Sequence, residues 1–268
     1  MSKAHTLMTS RAGPTALTHT RPALVAITLP VSAVDAATRE EMWQLFGQYY
    51  AEVSRESFLH DLAGKDHVIL LRDGAHALKG FSTAQGYVRQ IQGRRVGVVF
   101  SGDTIVDREY WGQTVLQRAF LRYIVRFKLM HPFTPVYWFL ISKGYKTYLL
   151  MARNFPVYWP RHDKETPAWE SAVLNSLARE KFGASWRPEL GILRFERCLG
   201  RLRGSVAPID DELRARYAEV RFFEQKNPGH AEGDELCCIG LINPFQWLYY
   251  LGRLGYRRVR KVLRPLTR

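Results

Sequence analysis

The chain has 268 residues, 46% of them hydrophobic and 13% aromatic, which excludes a disordered or fibrous class and suits one large domain or two small ones. Its 39 Lys and Arg against 25 Asp and Glu leave a formal charge of +14, which favours anionic partners: nucleic acid, acidic lipid, an acidic carrier protein or a phosphorylated ligand. The cysteines Cys198, Cys237 and Cys238 fit neither a disulfide framework nor a paired metal-ligand spacing, and no apolar run approaches the ~18 residues of a membrane span.

Residues 1–21 are rich in Thr, Ser and His without apolar periodicity and are expected to form a mobile leader. Lys3, Arg11 and Arg21 precede the apolar "PALVAITLPVSAV", loosely as in a signal peptide. The long polar leader, Pro30 within the run and the lack of a small-x-small cleavage site argue against export, so a cytoplasmic setting is expected. "ALVAITL" predicts a strand. "DAATREEMWQLFGQYY" predicts a helix capped by Asp35, with Met42, Leu45, Phe46 and Tyr49 on one face. "SRESFLHDLAG" predicts a second helix, opened by Ser54 and Glu56 and closed by Gly64. Three strands follow, "HVILLRD", "ALKGFSTAQGYVRQI" and "RRVGVVFSGDTIV", the last two joined by "QGRR" as an antiparallel hairpin.

A helix from about Gly112 to Met130, the strand "PVYWFLIS" and the helix "KGYKTYLLMARNF" complete the first half. This order predicts an α/β protein whose mixed, mostly antiparallel central sheet is flanked by helices. After "FPVYWPRHDKETP" the composition shifts, and a boundary near residue 160 is expected, with 161–268 as a C-terminal α/β extension. There "TPAWESAVLNSLAREKFG" predicts a helix with Thr166 as N-cap, Pro167 at the first helical position and Gly183 as stop. "LGILRFE", "DDELRARYAEVRFFEQKN" and "DELCCIGLI" predict strand, helix and strand, with Cys237 and Cys238 as buried packing. The chain closes on a helix bearing Arg253, Arg257, Arg258, Arg260, Lys261, Arg264 and Arg268 beside Trp247, Leu248, Tyr250, Leu251 and Leu254. Such a helix either lies on an anionic membrane or docks its stripe on its own domain and leaves the arginines solvated.

Two places carry candidate chemistry. Asp103 in "FSGDTIV" is a carboxylate within an apolar strand, which must find a partner or shift its pKa, and "SGD" suggests a bulge. It could act as a base, or it could cap the bulge or pair with Arg108. Gly112 stands where strand gives way to helix, a turn whose backbone N–H groups can hold an anion; the plainer alternative is a helix-start glycine packed on an aromatic turn. No HExxH, Cys-x-x-Cys, Gly-x-Ser-x-Gly, GxGxxG or Walker-type sequence is present, so no metal is expected.

From Ala23 to Phe155 the order of elements resembles the GNAT N-acyltransferase superfamily, and "REYWGQTVLQRAF" is similar to that family's "YWGKGxAxEA" turn through Tyr110, Trp111, Gly112 and Ala119. The resemblance implies a GNAT-like domain over 22–160 in which one strand splays from its neighbour. It also implies that the turn Trp111, Gly112, Gln113, Thr114, Val115, Leu116 cradles the pyrophosphate of acyl-CoA. The family's glycine positions become Thr114 and Leu116, whose side chains would narrow that approach. The resemblance further implies a tyrosine after the fifth strand that protonates the leaving thiolate, for which Tyr145 and Tyr148 are the candidates; each could equally donate to a core carbonyl. Together these imply an acyltransferase moving an acyl group from a CoA or acyl-carrier-protein thioester to a small-molecule or peptide amine, with Asp103 as base or orienting the acceptor. The alternative is a non-catalytic relative that binds anionic membrane through its basic C-terminal helix; nucleic acid is a weaker candidate, because no nucleic-acid-binding motif positions the arginines.

Overall fold

The computed structural model describes residues 23–196, 200–203, 206 and 208–243. The expected leader, Cys198 and the basic C-terminal helix lie outside the described residues. In chain order the elements are β1 (Val25–Pro30), α1 (Ala36–Tyr49), β2 (Tyr50–Ala51), α2 (Arg55–Ala63), β3 (His67–Arg72), β4 (Leu78–Ile91), β5 (Arg94–Val106), α3 (Val115–Met130), β6 (Val136–Ser142) and α4 (Tyr145–Asn154). There follow β7 (Tyr158–Trp159), α5 (Ala168–Phe182), β8 (Trp186–Arg187), β9 (Ile192–Leu193), β10 (Arg201–Leu202), α6 (Asp211–Arg216), α7 (Ala218–Lys226) and β11 (Glu235–Ile242).

Local chemistry sets several boundaries. The Asp35 carboxylate accepts from the Thr38 amide at 2.7 Å and Ser54 accepts from Ser57 at 3.0 Å, each satisfying a first-turn donor. In the β4–β5 hairpin Ile91 faces Arg94, and the two turn residues, Gln92 (φ 48°) and Gly93 (φ 78°), are left-handed, the backbone hand that matches strand twist. Helix α5 starts one residue later than its sequence suggests: Pro167, not Thr166, is the N-cap, its carbonyl accepting from Ser171. The helix expected over 210–227 breaks at Tyr217, whose φ of −129° and ψ of 113° are extended.

The main sheet runs β1-β3-β4-β5-β6-β11-β9-β8, with β7 also paired to β11, and all of its neighbours are antiparallel except β5 and β6. The division expected after residue 160 does not separate two sheets. β11 pairs with β6 from Leu236↔Ser142 to Ile242↔Val136, so the late part of the chain completes the same sheet. Period-two alternation sorts the strands onto two faces. Val99, Val136, Trp138, Leu140, Leu236 and Cys238 pack with α3, α4 and α7; Val98, Phe100, Tyr137, Phe139, Cys237 and Ile239 pack with α5. Val68, Leu70, Phe81 and Ile105 pack with α1 and α2 in a third cluster.

A Cβ on Gly102 would lie 2.5 Å from Thr83 Oγ1 and 2.8 Å from Lys65 Cε, whereas one on Gly47 of α1 meets nothing within 4 Å. Denaturant unfolding is expected to show Gly102→Ala losing about 1–3 kcal/mol to overpacking. Gly47→Ala should gain up to ~1 kcal/mol from helix propensity.

Candidate active site

The parallel pair β5–β6 is in register from Gly97↔Val136 to Ser101↔Leu140 and then ends, although both strands continue. The cause lies on the other side of β5. Along β4, Ser82 faces Thr104 and Ala84 faces Ser101, so two steps on β4 match three on β5, and the extra residue at Gly102–Asp103 is a bulge. Past it Thr104, Ile105 and Val106 stay with β4, while Ile141 and Ser142 stay with β11. The strands part at the bulge. Ser101 is pinned there by the Trp138 indole N–H, which donates to its Oγ at 2.9 Å.

Charged groups converge on the parting. Lys65, at the end of α2, is buried and donates to Asp61 Oδ2 at 2.5 Å; its Cε is the atom that crowds Gly102. Lys143, just after β6, pairs with the buried Glu235 at the start of β11 at 3.4 Å. Asp103 is half-buried between these pairs. Two lysines face three carboxyls, so the third has no cation of its own. Burial pushes the Asp103 carboxyl up to about 7, Asp61 and Glu235 adding to the rise and Lys65 and Lys143 opposing it. Tyr50 belongs to the same group: burial raises its phenol, the Asp103 and Glu235 charges raise it further, and Lys143 Nζ lies 5.4 Å from its ring centre. The buried Thr83 hydroxyl beside Gly102 has no hydrogen-bond partner among the described residues.

The turn after β5 is divided in its availability. The amides of Trp111 and Gln113 donate to Arg108 O and Tyr110 O, each at 3.2 Å, so they serve the turn itself. Gly112 is exposed with φ 90°, and α3 begins behind Thr114 with neither a side-chain cap nor an acidic residue in its first turn. The amides of Val115, Leu116 and Gln117 are first-turn donors without an intrahelical acceptor. The Leu116 side chain turns into the core and Thr114 projects to solvent. Two cations flank Trp111: Lys146 Nζ at 3.7 Å and the Arg108 guanidinium at 5.7 Å from its ring centre. The turn can hold an anion with its helical half, 115–117, and these cations.

The α4 tyrosines look elsewhere. Tyr148 is fully buried, donates to Pro160 O at 3.0 Å and packs on Phe222 and Phe223. Tyr145 is buried on the side of Asp210 and Tyr217, whose charges act on its phenol after burial does. Residues 201–203 and 206 bridge the two sides of the parting. β10 pairs with β2, the Arg203 amide donates to Tyr49 O at 2.9 Å, and the carbonyl of buried Val206 accepts from Lys146 Nζ at 2.9 Å. Beside them opens a cleft of about 500 Å³ whose walls include Ala51, Lys143, Gly144, Arg203 and His230.

No protein-family model matches the chain, and no curated protein matches it. Among solved structures it is similar to YhbS, a GNAT family N-acetyltransferase of Escherichia coli in complex with CoA, at 16% identity and TM-score 0.37, over 52% of this chain and 73% of that one. It is similar to E. coli ElaA at 15% identity and TM-score 0.35, over 55% and 95%. An aminoglycoside acetyltransferase from an uncultured soil metagenomic sample, in complex with sisomicin, matches at 14% identity and TM-score 0.35, over 54% and 92%.

Sequence reasoning singled out Asp103 and the turn but missed Asp61, Lys65, Lys143, Glu235 and Tyr50. Of these, Lys143 and Glu235 carried a signal, each being a charge at the very edge of an apolar segment. Among the described residues no group of three or more His, Cys, Asp or Glu is placed to hold a metal ion.

The Asp103 carboxyl, normally near 3.8, is raised to about 7 in the folded chain. Its contribution to stability is therefore fully present below about pH 4 and is lost as the pH rises through about 7. Asp103→Asn has no such proton to lose. Denaturant midpoints across that range are expected to rise for the variant relative to the native chain up to about pH 7 and then run parallel.

Proposed function

We propose that the chain moves an acyl group from a CoA thioester to an amine. The observation that carries this reading is the parting of β5 from β6 at the Gly102–Asp103 bulge, with a carboxyl near neutrality at its floor and an uncapped helix N-terminus beyond it. In this reading the diphosphate lies against the amides of Val115, Leu116 and Gln117 beside Gly112, with Arg108 and Lys146 supplying positive charge. The thioester then points toward the parting. The amine attacks the thioester carbonyl carbon, a C–N bond forms and the C–S bond breaks.

The proton lost by the amine passes to Asp103, whose raised pKa lets it accept at neutral pH and release afterwards. The departing thiolate needs a proton in return. Tyr50, beside Asp103, relays it in place of Tyr148 or Tyr145, whose surroundings are Pro160 and Asp210 respectively: the phenol O–H passes to the thiolate while the protonated Asp103 carboxyl returns a proton to the phenol oxygen. An acyl carrier protein would present the same thioester on an acidic surface and is the competing donor.

Thiol release from acetyl-CoA with a panel of amines tests the reading, run beside retention on immobilised CoA. Asp103→Asn is expected to lower kcat about 100-fold or more at nearly unchanged KM for the thioester. In the native chain kcat/KM should rise through about pH 7. Tyr50→Phe is expected to lower kcat at least about tenfold, whereas Tyr148→Phe should alter stability by about 1 kcal/mol and leave kcat alone. Equal turnover in native and Asp103→Asn chains, or no retention competed by free CoA, would overturn it.

A further inference from the structure

Helix α3 buries Leu116, Ala119, Phe120, Ile124 and Phe127, yet its opposite side is not the usual polar face. Leu121, Val125 and Leu129 recur at four-residue spacing in a stripe on that side, continued by Met130; Leu129 is 67% exposed and Met130 58%. Arg122 and Arg126 line the same shallow groove, and Arg118 sits one turn earlier. None of these three arginines forms an ion pair among the described residues. No Asp or Glu occurs in the sequence between Glu109 and Asp163.

The stripe ends in a built feature. Lys128 Nζ donates to Pro132 O at 2.9 Å and to Thr134 O at 2.8 Å, holding the carbonyls on either side of Phe133. That clamp leaves Phe133 fully exposed, at 100%, at the end of the helix. The ammonium caps the helix end and fixes the turn, so the ring is held outward rather than folded onto the core.

We propose that this face of α3, with Phe133, docks on an anionic phospholipid surface. The aliphatic stripe and Phe133 enter the boundary between headgroups and acyl chains, and Arg118, Arg122 and Arg126 meet lipid phosphates. Charge complementarity selects the occupant. Residues 1–22 and 244–268 of the same chain contain Lys and Arg but no Asp or Glu, so either segment would bring like charge to the groove. A second copy would bring the same acid-free face. Nucleic acid would satisfy the arginines but leave Leu121, Val125, Leu129 and Met130 without a partner, since bases stack on aromatic rings rather than on aliphatic side chains. The inference does not rest on acyl transfer, because the groove lies on the outer side of α3 and shares no residue with the parting.

The test is co-sedimentation of the full chain with vesicles of phosphatidylcholine alone, or with about a third phosphatidylglycerol. The native chain is expected to sediment with the anionic vesicles only, less so at high salt. Arg122→Glu/Arg126→Glu and, separately, Leu129→Ser/Phe133→Ser should each weaken binding about tenfold or more, while Lys164→Glu/Arg179→Glu, an equal charge change elsewhere, should change it less than about threefold. All six positions are exposed, and thermal melts of the variants confirm folding. Absence of sedimentation with anionic vesicles overturns the proposal, as does equal loss in the control. So does a pattern in which the α3 variants lose binding to a single-stranded oligonucleotide while vesicles bind none of the chains.

Discussion

A single surplus residue in β5 governs the architecture around the candidate site. Without the step at Gly102–Asp103, β5 would run on in register with β6 and the sheet would be continuous. With it, the far end of β5 follows β4, the far end of β6 follows β11, and two strands joined by hydrogen bonds at one end are separated at the other. Gly102 is needed because the space a Cβ would take is held by Thr83 and Lys65. The same crowding brings the Lys65 stem over the bulge, so the dislocation and the positive charge beside it are one arrangement.

Burying Lys65 and Glu235 is expensive, and the structure limits the cost by pairing. Asp61 has Lys65 and Glu235 has Lys143, each lysine arriving from a different element. Asp103 is the member left over, which is why desolvation acts on it with so little opposition.

Much of the fold was legible because its determinants are local. The caps at Asp35 and Ser54 lie within three residues of the amides they satisfy, and the β4–β5 hairpin announces itself through "QGRR" between two long apolar runs. What escaped is non-local. β7 and β10 are two-residue strands whose pairing is decided by partners far along the chain. β11 reads as an isolated apolar run, and nothing near it says that it will lie against β6. At the site, Asp103 was legible as a charge out of place, whereas Asp61, Lys143 and Glu235 become its neighbours only through sheet order. Tyr145 and Tyr148 share a helical face as their spacing requires, but that face is turned to α7 and Pro160 rather than to the bulge.

The position of β11 has a consequence for how the chain is made. During synthesis, β6 leaves the ribosome about a hundred residues ahead of its neighbour. Until Ile242 has emerged, one edge of β6 presents Trp138, Phe139 and Leu140 with unpaired backbone groups, an adhesive surface in a crowded cell. The nascent chain therefore waits for its keystone, and α4 and β7 are the segments at hand to shield that edge in the meantime.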